Sequence, residues 1–205
     1  MPFQESLSPE LIIAAYRGGY FPMPDPESGE ILWFNPDPRA IIPLEGFHVS
    51  HSLRRLARKK KFVVTFDQKF SEVIESCADR PATWISEEIK ASYKALHRAG
   101  LCHSVEVWDL RHQLVGGLYG VSQGGVFNAE SMFSRETDAS KIALWALVSR
   151  LKELEFHLLE VQFMTDHLRR LGALEIPRQD YLRRLNHALQ LPTDFKAPAG
   201  PYNWL

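Results

Sequence analysis

The spacing of apolar positions changes along the chain, and the changes mark its elements. Leu11, Ile12, Ala15 and Tyr16 recur at helical spacing. Ser8-Pro9-Glu10 ahead of them supplies a cap, a first-turn proline and an acid. Gly18-Gly19 stops that helix, and the prolines in Tyr20-Phe21-Pro22-Met23-Pro24 bar another. Ile31–Phe34 and Ala40–Pro43 suit short strands on either side of the turn Asn35-Pro36-Asp37-Pro38-Arg39. His51–Lys61 reads as a helix with Leu53, Leu56 and Ala57 inward, and Phe62–Phe66 as a strand. Asp67–Cys77 and Glu87–Ala99 read as helices, the second capped by Ser86 and closed by Gly100.

The second half turns to sheet. Ser104–Trp108, Gln113–Val121 and Val126–Phe133 form three consecutive antiparallel strands, with Ser122-Gln123-Gly124-Gly125 as the second turn. Asp138 is placed to cap a long helix, Ala139–Leu154. A strand follows at Leu158–Met164, then a short helix capped by Thr165 and ended by Gly172. Ile176–Asp180 opens a last helix to about Leu189, and the tail is Pro-rich and irregular, with Phe195, Tyr202 and Trp204 able to pack down. This order predicts an α+β fold around one central mixed sheet, with a small N-terminal domain (1–60) and a larger domain (61–205).

With 205 residues, 45% of them hydrophobic and 24% charged, the composition is that of a globular protein. The formal net charge of -1 means that any basic surface must be local. Such a surface exists: Arg54, Arg55, Arg58, Lys59, Lys60 and Lys61 crowd one helix end. Favourable contact with the helix dipole is one reason for them, and binding a phosphate backbone is another. Cys77 and Cys102 make neither a disulfide framework nor a metal-ligand spacing. No signal peptide or bilayer-length apolar run is read, so a cytoplasmic protein without a membrane partner is expected.

Dinucleotide, phosphate-loop, zinc-protease and nucleophile-elbow motifs are missing, and His97, His103, His157 and His167 read as ordinary histidines. Two carboxylates stand out. Glu130 lies between Phe127 and Met132 in an apolar strand, where a charge must be paired, hydrated or used. Strand alternation alone would equally let it face solvent. Glu160 and Gln162 share one face of their strand, opposite Leu159 and Val161. A carboxylate there could deprotonate an amine and an amide could stabilise an oxyanion, although a simply solvated face shows the same pattern.

The words GYFPM, WFNPDPRA, ATWI, HSVEVW, LVGGLYGV, FNAESMFS, TDHLRRLGA and EIPRQDYL cover nearly the whole chain. On them, the chain resembles the leucyl/phenylalanyl-tRNA–protein transferase family. That resemblance implies transfer of Leu or Phe, less well Met, from charged tRNA to an N-terminal Arg or Lys of acceptor proteins. Proteins so tagged enter N-end-rule degradation. It implies a larger domain similar to the acyl-CoA N-acyltransferase fold, a monomer, and no metal or other cofactor, since the ester is already activated.

Residue by residue, the resemblance assigns Glu130 to the acceptor N-terminus or the tRNA end, and Gln162 and Glu160 to catalysis. Glu160 stands where the best-known members have Asp. An aminoacyl pocket falls on Leu118, Phe127, Met132, Leu147, Leu151 and Leu159. Trp84 is matched to a stacking tryptophan, and Met23 stands where a second one is common. The basic run Arg54–Lys61 falls against the acceptor stem. Two other functions fit parts of the pattern. An acyl-CoA-dependent N-acetyltransferase would want a phosphate loop where Glu136 and Asp138 stand. A non-catalytic RNA-binding module would explain the basic helix but not the apolar pocket.

Overall fold

The computed structural model describes residues 7–25, 28–80, 83 and 85–204. Its centre is a seven-stranded mixed sheet in the order β4-β5-β6-β7-β8-β3-β9. These strands are β3 (Arg39–Ile42), β4 (Val63–Phe66), β5 (Cys102–Trp108), β6 (Leu114–Gln123), β7 (Val126–Ser134), β8 (Leu158–Gln162) and β9 (Leu174–Ile176). The three expected antiparallel strands are β5, β6 and β7, and β7–β8 is parallel. The predicted α+β class with a central mixed sheet is the architecture found.

Helices cover both faces. On one side α2 (His51–Arg58) and α5 (Ala139–Glu153) bury Leu53, Ala57, Ile142, Leu147 and Leu151 against Leu118, Phe127 and Leu159. On the other, α3 (Phe70–Ala78) and α4 (Glu87–Arg98) enclose Val73, Ile74, Tyr93 and Leu96 with Tyr119 and Val121. The last helix, α7 (Arg178–Leu189), closes the same side over Ile41, Val126 and Leu158. The small N-terminal lobe is α1 (Pro9–Arg17) with a separate hairpin, β1 (Phe21–Pro24) and β2 (Ile31–Phe34). β3 and α2, though within the first sixty residues, pack with the large sheet and its core.

Several caps follow the sequence closely. The hydroxyls of Ser8, Ser50, Ser86 and Thr165 each accept a hydrogen bond from the third backbone N–H beyond them. Other boundaries move for physical reasons. Asp138 does not cap α5: its backbone is left-handed, and its carboxylate pairs with Lys141 at 2.6 Å. The helix expected from Asp67 starts at Phe70, because Asp67 is held by the Ser104 N–H and His103 Nδ1 at 2.8 and 2.7 Å. β9 is a strand that the sequence reading missed; at three residues it is too short to carry a period. β6 runs on through Gln123, leaving Gly124-Gly125 as the turn. A Cβ on Gly124, at φ 53°, would approach the Ala188 carbonyl to 2.8 Å.

The tail Leu191–Trp204 is irregular but packed. Phe195 and Trp204 are buried in the α5-side core, and the Tyr202 N–H donates to the Val64 carbonyl at 2.8 Å.

Candidate active site

A register shift in the β6–β7 ladder creates the site. Tyr119 pairs with Ser131 and Gly120 with Ala129, which leaves Glu130 as an extra, unpaired residue. Such a bulge breaks alternation and re-aims a side chain. Glu130 therefore joins Ser131 on the α1–α4 side, where the Tyr16 and Tyr93 hydroxyls donate to its two oxygens at 2.5 and 3.2 Å. The solvent-facing alternative for Glu130 is thus wrong; its exposure is 7%. Gly120 makes room for the bulge, since a Cβ there would lie 2.3 Å from the Asn128 carbonyl.

The neighbouring strand opens the site. β7 and β8 pair only from Val126/Leu158 to Asn128/Glu160, and beyond that point they part. A cavity of about 260 Å³ fills the gap. Leu118, Ala129, Met132, Val161 and Leu168 give it apolar walls, and Arg80, Glu130, Ser131, Gln162, Thr165 and His167 are its polar lining. Gln162, at φ 63°, leaves the strand geometry, and its Nε2 donates to Glu130 Oε2 at 3.2 Å.

Glu160 lies behind this surface. It does not line the cavity and is fully shielded from solvent. Arg39 Nε donates to its Oε1 at 2.7 Å, and the Gln162 N–H reaches the same oxygen at 2.5 Å. Arg39 is itself held by the Gly19 carbonyl at 2.9 Å and by the ring faces of Phe21 and Tyr181, at 4.7 and 4.4 Å from their centroids. Burial pushes the Glu160 carboxyl upward and the Arg39 charge pulls it back; Arg39 stays charged.

Among the described residues no cation pairs with Glu130 in this way. Burial, reinforced by the Glu160 charge, pushes its pKa up to about 8 against the opposing bonds from Tyr16, Tyr93 and Gln162. Burial also holds the Tyr16 and Tyr93 hydroxyls protonated, well above the ordinary tyrosine range. The Cys77 thiol rises to about 12 for the same reason and is no nucleophile near neutrality.

Of the residues expected at the site, Glu130, Gln162, Leu118 and Met132 come together on this cavity. Phe127, Leu147, Leu151 and Leu159, expected on the pocket wall, do not line it; each is fully buried in the core behind. The apolar wall instead uses Ala129, Val161 and Leu168. Met23 is half-buried in the hairpin, paired with Leu32, and Trp84 lies outside the described residues. Arg54, Arg55, Arg58, Lys59, Lys60 and Lys61 are all exposed, and Lys61 pairs with Glu136 at 2.5 Å.

Sequence reasoning missed Tyr16, Tyr93 and Arg39, which looked like helix stripe or turn. It also passed over His167, a half-buried wall residue whose burial, with Lys141 and Arg170, lowers its pKa. A larger open groove of about 980 Å³, lined by residues including Lys152, Glu155, Arg184 and Asp194, contains none of the expected site residues.

Residues 41–186 match the family model for leucyl/phenylalanyl-tRNA protein transferase, and residues 5–37 match that for its N-terminal domain. The leucyl/phenylalanyl-tRNA–protein transferase of Rubrobacter xylanophilus is 51% identical over 189 residues, 92% of this chain and 98% of the relative. That of Herpetosiphon aurantiacus is 52% identical over 190 residues, with the same shares covered. Among solved structures, L-PGS from Bacillus licheniformis is similar at a TM-score of 0.42 and 14% identity, over 78% of this chain and 55% of that one. By its family models and its relatives, the chain belongs to the leucyl/phenylalanyl-tRNA–protein transferases.

Proposed function

We propose that the cavity between β7 and β8 is where this transferase joins an acceptor protein to the leucyl or phenylalanyl group of a charged tRNA. The observation that carries this reading is the Glu130–Gln162 pair set on an apolar cavity. Leu118, Met132, Val161 and Leu168 would seat the uncharged side chain of the ester. They would reject a charged one, which would lose its hydration without gaining a partner. Size is discriminated weakly, by about 1–3 kcal/mol per methylene.

The acceptor's α-amine attacks the ester carbonyl. A C–N bond forms, the bond to the ribose 3′-oxygen breaks, and one proton must pass from the amine toward that oxygen. Glu130 is suited to take it: its value of about 8 lies close to that of an α-amine, about 7.7–8.0, so the transfer costs little. Gln162 Nε2 would turn from Glu130 to the developing oxyanion. Glu160 acts through Gln162, holding its backbone N–H, and is a positioning residue rather than the base.

The acceptors are proteins beginning with Arg or Lys, and the enzyme works as a cytoplasmic monomer. The exposed cations of Arg54–Lys61 carry the acceptor stem of the tRNA. Among the described residues no helix is long and apolar enough to cross a membrane.

One assay tests the reading. Purified protein is mixed with labelled Leu-tRNA or Phe-tRNA and peptides beginning with Arg, Lys, Asp or Ala. Label on the Arg and Lys peptides alone is expected; label on the Asp peptide alone, or on none, overturns it.

A further inference from the structure

We propose that a second cavity, at the β6–β7 turn, binds a free α-amino acid with an apolar side chain. The inference stands apart from the ester site, since the two cavities share no lining residue. This one holds about 380 Å³ and lies where α1, the turn before β5, the turn after β6 and the tail beyond α7 meet. Small-molecule sites run from roughly 300 to 1,000 Å³, so it is large enough.

Three polar side chains line it. Gln123 ends β6 and is only 6% exposed. Arg17 Nε donates to Gln123 Oε1 at 3.0 Å, which fixes the amide, because reversing it would set donor against donor. Gln123 Nε2 is thereby left buried with no partner among the described residues. A buried donor in that state is unfavourable until something accepts from it. Asp194, in the tail, lines the same cavity, is exposed, and pairs with no cation among the described residues, Arg17 included. A cation and an anion held on one cavity without meeting suit a ligand that carries both charges. An α-amino acid does: its carboxylate accepts from Arg17 and from Gln123 Nε2, and its ammonium donates to Asp194. Ile13, Leu101 and Leu189 make the rest of the wall apolar, which favours an uncharged side chain. Bound there, the ligand ties the tail to α1, whose Tyr16 donates to Glu130.

Equilibrium dialysis and thermal unfolding of the full chain with free leucine test this. Leucine should bind saturably and raise the unfolding temperature. The ester cavity also suits a leucine side chain, so both measurements are repeated on Met132→Trp, which fills that cavity. One saturable site should remain there. Arg17→Met and Asp194→Asn should each weaken that binding by roughly tenfold or more, the scale of a lost hydrogen bond to a charged group. Asp194 is exposed, so Asp194→Asn keeps the test open even if Arg17→Met fails to fold. Leucinamide lacks the carboxylate charge and N-acetylleucine lacks the ammonium, and each should bind worse than leucine by a similar factor. The proposal is overturned if leucine does not bind, if Met132→Trp abolishes its binding, or if Asp194→Asn leaves it unchanged. N-acetylleucine binding as tightly as leucine would mark a plain anion site and overturn it too. None of these outcomes bears on transfer from charged tRNA, so the ester-site reading stands or falls separately.

Discussion

Arg39 Nε and Glu160 Oε1 meet at 2.7 Å, and neither side chain has any exposure to solvent. Two charges taken out of water survive together because each neutralises the other, while losing one strands its partner. Arg39→Met should therefore lower unfolding free energy by roughly 3–5 kcal/mol. The double variant Arg39→Met, Glu160→Leu should recover most of that in urea unfolding. It should still transfer slowly, because Gln162 loses the carboxylate that holds its N–H at 2.5 Å. A double variant with full activity would remove Glu160 from the positioning of Gln162.

Gln162→Ala removes the amide that sits 3.2 Å from Glu130 Oε2. Rapid-quench assays at saturating substrate should show kcat lower by about 10²–10³-fold, the scale of a lost oxyanion donor. Charged-tRNA affinity should hold within about threefold, since the cations proposed to bind its phosphates are elsewhere. Weakened binding at unchanged kcat would make Gln162 a binding residue only.

Glu130 sets a pH dependence. Its carboxyl holds a proton up to about 8 in the fold, against about 4.3 in an unfolded chain. The folded state thus binds more protons between those values. Its contribution to stability is complete below about 4.3 and is lost as pH rises through about 8. Chemical denaturation from pH 5 to 8.5 should show wild type losing stability relative to Glu130→Gln over that span. In transfer assays kcat/KM should climb through about pH 8 for wild type, where the free enzyme's base form appears, and should climb less steeply in Glu130→Gln. A limb surviving in kcat/KM then belongs to the free α-amine.

The exposed cations of α2 and its end should govern salt sensitivity. Arg58→Glu, Lys59→Glu and Lys60→Glu together should weaken tRNA binding and flatten the plot of log affinity against log salt. For every phosphate that these cations neutralise in the wild type, the slope should shrink by roughly 0.7–0.9. Filter binding between 50 and 200 mM salt suffices, and an unchanged slope would move the tRNA footprint off α2.

The periodic parts of the fold were legible in the sequence. Serine and threonine caps, the β5–β6–β7 meander and the inward faces of α2 to α5 follow from local spacing and local hydrogen bonds. The site was legible only in part. Glu130 and Gln162 could be singled out as polar groups in apolar strands. Nothing local says that a bulge turns Glu130 toward Tyr16 and Tyr93, from elements 114 and 37 residues away. Nor could alternation reveal that Arg39 claims Glu160, since their pairing depends on β3 lying beside β8 across 121 residues. The expected pocket residues failed differently. Phe127, Leu147 and Leu159 are apolar, as a pocket wall must be, but so is any core, and burial depth is not written in residue type.

The tail has a consequence for how the molecule is made. Phe195 sits among Phe66, Phe127 and Phe156, and the Tyr202 N–H is bonded to β4 at the sheet's edge. A ribosome that has released everything through α7 has therefore still not delivered a ring that this interior is packed around. Until then the nascent chain has an apolar gap and an uncovered outer edge on β4, and chaperone capture should be strongest in that interval.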